Sequence, residues 1–131
     1  MSELAMHTHL QATFASERVF IGGRRVAEPP LIPHRAIFVN ATGGPPPRGY
    51  MDGGARTVWK ASRIQIIVRG NPREYASTKT LADAVWSACW AAPVEDFHVR
   101  CEQSEPVSWG RDSVECNEFS IHVRMERKVT L

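Results

Sequence analysis

The sequence predicts an α+β fold: a mixed, mainly antiparallel sheet with helices packed on one face and one long exposed loop. Three observations predict it. Residues 63–69 alternate, with Ile64, Ile66 and Val68 on one side and Arg63, Gln65 and Arg69 on the other, the period of two expected of a strand with one buried face. Residues 119–126 alternate more strongly still, Phe119, Ile121, Val123 and Met125 against Ser120, His122, Arg124 and Glu126. Between these segments Tyr75, Thr78, Leu81, Val85, Trp86 and Cys89 recur at spacings of three and four, the stripe of an amphipathic helix. Long strands at 56–69 and 114–129 with a helix between them fit a sheet covered on one side.

The remaining elements follow in order. Ser2 is a plausible N-cap, and Leu4, Met6, Leu10 and Phe14 suggest a short helix from about Glu3 to Glu17. Val19-Phe20-Ile21 reads as a strand ended by Gly22-Gly23, and Pro29, Pro30 and Pro33 keep the next segment extended. Ala36 to Val39 is an apolar run suited to a buried strand. Thr42 to Gly54 holds Gly43-Gly44, Pro45-Pro46-Pro47, Gly49 and Gly53-Gly54, so it is expected to project as an exposed loop rather than join a ladder. Gly70-Asn71 is expected to break the strand, with Pro72 at the first helical position. Pro93 stops regular structure, and alternation resumes over Phe97–Cys101 and from Glu105 to Trp109.

Composition narrows the function classes. At 131 residues the chain is expected to form one domain over 1–131. A formal charge of +2, with Lys and Arg scattered from Arg18 to Lys128, is too mild to argue for a dedicated nucleic-acid binder. No run of ~18 apolar residues occurs, so no membrane partner is expected, and the first residues lack the pattern of a signal peptide. Cys89, Cys101 and Cys116 are unequally spaced, without CxxC; reduced, mostly buried thiols made inside the cell are the expectation.

No cofactor or metal is expected, and no catalytic residue is assigned. His7 and His9 are two apart on a helix and diverge, and His34, His98 and His122 lie on other segments, whereas a metal needs converging ligands. The glycine pairs form no phosphate-binding motif. A Cys/His pair, Cys101 with His98 or His122, is the one enzymatic alternative, and it requires an activating arrangement that spacing does not reveal. The chain is therefore read as not an enzyme.

The interface candidates are Arg48, Tyr50, Met51 and Asp52, residue types that suit protein contacts, carried on the exposed loop, together with Trp59 near an element end. The other tryptophans, at 86, 90 and 109, either fill the core or add to an interface.

The order of these pieces resembles the tail-terminator or minor capsid proteins of long-tailed bacteriophages. The matching stretches are Val39 to Gly44, Arg48 to Gly53 with Gly49 interposed, Gln65 to Gly70, and Tyr75 to Trp86. The resemblance implies a structural morphogenesis protein, made in the host cytoplasm and located in the tail or neck of the virion. It implies a homo-oligomeric ring, typically a hexamer, that caps the head-proximal end of the tail tube. Its partners would be the tail tube protein and the head-completion (stopper) protein, with DNA passing through unread. Another head–tail connector or a tail-tube component is the alternative from the same class.

Overall fold

The computed structural model describes residues 2–22, 35–44, 48–49, 57–91, 94–111 and 115–130. Among these, in chain order, are α1 (Ser2–Thr13), β1 (Val19–Ile21), β2 (Ala36–Ala41), β3 (Arg48–Gly49), β4 (Thr57–Pro72), α2 (Tyr75–Ala91), β5 (His98–Cys101), β6 (Val107–Arg111) and β7 (Cys116–Thr130). The two segments with the clearest alternation pair with each other: β4 and β7 run antiparallel from Thr57 opposite Thr130 to Arg69 opposite Glu118. They form the middle of a mixed sheet ordered β1-β2-β4-β7-β5, with β3 on β4 and β6 on β7. β1 and β2 are parallel and every other pairing is antiparallel. The α+β expectation holds.

Both helices lie on one face. Ile64, Ile66 and Val68 of β4 meet Phe119, Ile121, Val123 and Met125 of β7 beneath Leu81, Ala82, Val85 and Cys89 of α2 and Met6 and Leu10 of α1. Each of these large side chains contributes about 1.5–3 kcal/mol by leaving water. Two histidines dock α1: the His7 imidazole bonds the Val19 carbonyl at 2.9 Å and that of His9 the Ala88 carbonyl at 3.1 Å. The period of two thus gives the buried face correctly, and the divergent histidines tie α1 to two different elements.

Several local expectations are corrected. β4 does not break at Gly70; it continues through an irregularity to Pro72, which pairs with Cys116. Arg73 then adopts φ 63°, and the helix begins only at Tyr75. Gly70 instead lets α2 approach, because a Cβ there would overlap the Thr78 side chain. Tyr75, placed on the buried stripe by its spacing, is 47% exposed and only leans on the Phe119 ring. α1 ends at Thr13, and Phe14 packs half-buried beyond it. Arg69 does not face solvent; it is fully buried on the other side of the sheet, its guanidinium 5.2 Å from the Phe38 ring centroid. The second face therefore has its own small apolar cluster, Ala36, Phe38 and Ile67, with Phe20 against it.

The glycine-rich segment is also not wholly a free loop. Thr42 N–H donates to the Arg63 carbonyl at 2.9 Å and Arg63 N–H to the Gly43 carbonyl at 2.6 Å. Gly44 lies so close to the Ala61 carbonyl that no Cβ fits, and Arg48-Gly49 then pairs with Trp59-Val58 as β3. Exposed residues 42–44 and strand β3 thus follow the edge of β4. Glycine permits this because it can approach a neighbouring backbone more closely than any other residue.

Candidate assembly surface

The residues proposed from sequence separate into two groups. The backbone of Arg48 lies in β3 opposite Trp59. Tyr50, Met51 and Asp52, between β3 and β4 in the chain, lie outside the described residues. Trp59 is half-buried at the start of β4, on the sheet face away from the helices.

Around Trp59 the structure gathers side chains from three strands. The Trp59 indole N–H donates to Glu126 Oε2 at 2.9 Å, and its ring tilts against that of His98 with centroids 5.7 Å apart. Arg100 donates to Glu126 Oε1 at 3.0 Å. Arg124 Nε lies 2.8 Å from the same oxygen but is not aligned for a hydrogen bond, so that contact is ionic. Glu126 is only 7% exposed. Burial by itself raises its pKa, but the Trp59 hydrogen bond, then Arg100 and Arg124, outweigh it and hold the carboxyl below its ordinary value.

Register explains this convergence. Arg63 on β4 is the partner of Arg124 on β7, and Arg124 is the partner of Arg100 on β5. Three arginines therefore occupy one rung across three adjacent strands. Like charges directly opposite are unfavourable, and carboxylates offset them: Glu126 for Arg100 and Arg124, and Glu102, 3.7 Å away, for Arg63. Sequence reasoning missed this rung. Each arginine occupies an outward position of an alternating strand, the only available signal, and cross-strand register is not visible in one sequence.

On the other face, no nucleophilic pair is assembled from the residues weighed for one. Val99 and Cys101 pack against the helix-side core, whereas His98 and Arg100 alternate to the opposite face, as does His122 between the inward Ile121 and Val123. Cys101 is hydrogen-bonded to the Trp86 carbonyl at 3.7 Å, and burial pushes its thiol up to about 11. Burial, with a smaller contribution from Cys101, raises Cys89 further. Both remain thiols near neutrality, not nucleophilic thiolates. A polar cleft on the helix side is lined by Ser2, Glu3, Lys60, Ser62, Phe97 and Arg127, and its Arg127 already pairs with Asp96 at 3.4 Å. Among the described residues no three His, Cys, Asp or Glu side chains form a group able to hold a metal, and no helix is long and apolar enough to cross a membrane.

A third feature lies on the β7 edge. β5 and β6 both pair with β7 and are interrupted by residues 102–106. Gln103 fills part of the gap: its carbonyl oxygen Oε1 accepts from the His122 backbone N–H at 3.1 Å, and its amide nitrogen lies 2.9 Å from His122 Nδ1. The Trp86 indole N–H donates to the Gln103 carbonyl at 2.8 Å. Trp86 thus packs half-buried against the core, as its place on the helix stripe predicts, while its indole N–H braces Gln103, and Trp90, 59% exposed, stacks on it with centroids 6.0 Å apart.

Compared with known proteins, the chain matches no family model and no curated protein sequence.

Proposed function

We propose that the protein is a non-enzymatic subunit of a bacteriophage tail. In this reading it forms a ring, as a hexamer, on the head-proximal end of the tail tube, where it ends tube growth and offers a surface to the head-completion protein. One observation carries the reading. The stretch that resembles tail-terminator proteins is a single connected unit: β2 runs into the Thr42–Gly44 clamp on β4, β3 pairs with Trp59-Val58, and β4 leads into α2. The unit is organised around backbone pairing and packing rather than a reactive group. A closed ring uses head-to-tail contacts, so each subunit needs two different complementary patches. Tyr50, Met51 and Asp52, which follow β3 in the chain, and the Trp59 face of the sheet are the candidates for one of them.

The test is mass photometry of the purified protein over a range of concentrations, followed by electron microscopy after mixing with purified tail tubes. Species of six times the subunit mass, or density capping one end of the tubes, is the expected result. A monomer at every concentration that leaves the tubes bare overturns the reading.

A further inference from the structure

We propose that the helix-free face of the sheet, around the Arg63–Arg124–Arg100 rung, binds the phosphodiester backbone of nucleic acid without reading its sequence. The proposal rests on the charge distribution of this face and not on the ring reading above. The rung sets three guanidinium groups in a line across β4, β7 and β5, with neighbouring strands about 4.8 Å apart. The side chains of Arg63 and Arg100 are 51% and 62% exposed, so both ends of the line reach solvent. Further along the same face of β7 is the exposed Lys128, the register partner of Trp59. The three guanidinium groups of the rung meet two carboxylates, Glu126 and Glu102, and the rung keeps a positive surplus.

The same geometry argues which anion fits. Glu126 already engages Arg100 and Arg124, so a two-pronged grip on an incoming protein carboxylate would have to displace a nearly buried partner. What stays available is a row of single N–H donors on Arg63 and Arg100. A line of donors suits a polymer carrying one negative charge per repeat, held by several weak contacts and counterion release. The tilted Trp59–His98 ring pair sits beside the row and offers an aromatic surface next to the charged track, the combination used by surfaces that hold nucleic acid without sequence preference. Few phosphates are neutralised, so binding by one subunit is weak and strongly salt-dependent.

Fluorescence anisotropy with a labelled single-stranded 20-mer and with the matching duplex tests this, for the wild type, the double variant Arg63→Gln with Arg100→Gln, and a charge-matched control, Arg73→Gln with Lys79→Gln. All four substitutions replace partly or fully exposed side chains outside the core. The expected result is binding that is indifferent to sequence, about tenfold weaker in the rung variant, with a salt slope reduced by roughly two. The control should bind within about twofold of the wild type. Equal loss in the control would reduce the effect to net charge and overturn the assignment, as would unchanged binding in the rung variant. A polyglutamate peptide that binds as tightly as the oligonucleotide, with the same dependence on Arg63 and Arg100, would show an acidic protein surface to be the ligand instead. Unchanged circular dichroism and thermal midpoints for each variant separate these outcomes from misfolding.

Discussion

Gly70 on β4 lies directly beneath Thr78 on α2, so close that a methyl group at position 70 would overlap Thr78 Oγ1 and its Cβ and Cγ2. The Thr78 hydroxyl donates to the Glu74 carbonyl at 2.6 Å, fixing the side chain against the first turn of the helix. The distance between sheet and helix is therefore set by an absent side chain on one side and a fixed one on the other.

Gly70→Ala should destabilise the protein by about 1–3 kcal/mol, the usual range for overpacking a close contact. Thr78→Ala in the same chain should recover only part of the loss, since the Thr78 Cβ is itself within the overlap. Urea denaturation of the two single variants and the double variant measures the coupling, which should be non-additive. Additive effects would mean that helix and strand do not meet here.

Leu81→Ala and Ile66→Ala should each cost about 2–5 kcal/mol, because both side chains are buried in the layer between sheet and α2. Equilibrium unfolding that showed under about 0.5 kcal/mol for both would contradict this packing.

Glu126 makes stability depend on acid. Its folded pKa is depressed, so its contribution is fully present above the ordinary glutamate value, roughly 4.3, and is lost as pH falls through the lower folded value. Glu126→Gln should lower the thermal midpoint at pH 7 and flatten the decline below about pH 4.3. Trp59→Phe, which removes the indole N–H, should act in the same direction but less, the arginines remaining. Thermal melts across the acid range, compared among the three proteins, decide this.

Cys101 should alkylate slowly at pH 8 although it is only half-buried. Its thiol value is raised to about 11 by burial, so the neutral form is retained through the ordinary thiol range and given up only as pH rises toward 11. Iodoacetamide labelling followed by mass spectrometry should show Cys101 reacting steeply only as that value is approached. Fast labelling at pH 8 would reinstate it as a reactive cysteine.

Replacing Arg48 and Tyr50 together by Ala should weaken ring assembly on tail tubes while leaving the thermal midpoint of the isolated subunit within a degree or two. Arg offers a planar fork and Tyr a broad, low-entropy contact, both suited to a partner surface. Complementation giving normal numbers of infectious particles would remove this segment from the interface.

The core was legible because its signal is local. Ile64, Ile66 and Val68, and Phe119, Ile121 and Val123, repeat at the period their own strands impose, and Leu81 and Val85 at the period of theirs. What stayed hidden depends on register or on contact between distant segments. Gly70 reads as a breaker until Thr78 is seen above it. Arg63, Arg124 and Arg100 read as three ordinary solvent-facing arginines until β4, β7 and β5 align them. Arg69 shares its alternation with Arg63 yet is buried, because strand period assigns a face and not what covers it. Of the assembly candidates only Trp59 can be tied to a defined environment, and its anchor, Glu126, lies at the far end of the other long strand.

The position of β7 bears on how the protein is made. It sits between β4 on one side and β5 with β6 on the other, yet it is translated after every strand it joins. A nascent chain can pair β1, β2, β3 and β4 and lay both helices over them, but β4 keeps one long edge open, and β5 and β6 have no sheet to join. Such edges template unwanted pairing with other chains, and distant strand pairing is slow. The long edge of β4 can therefore be closed by β7 only when residues 116–130 have left the exit tunnel.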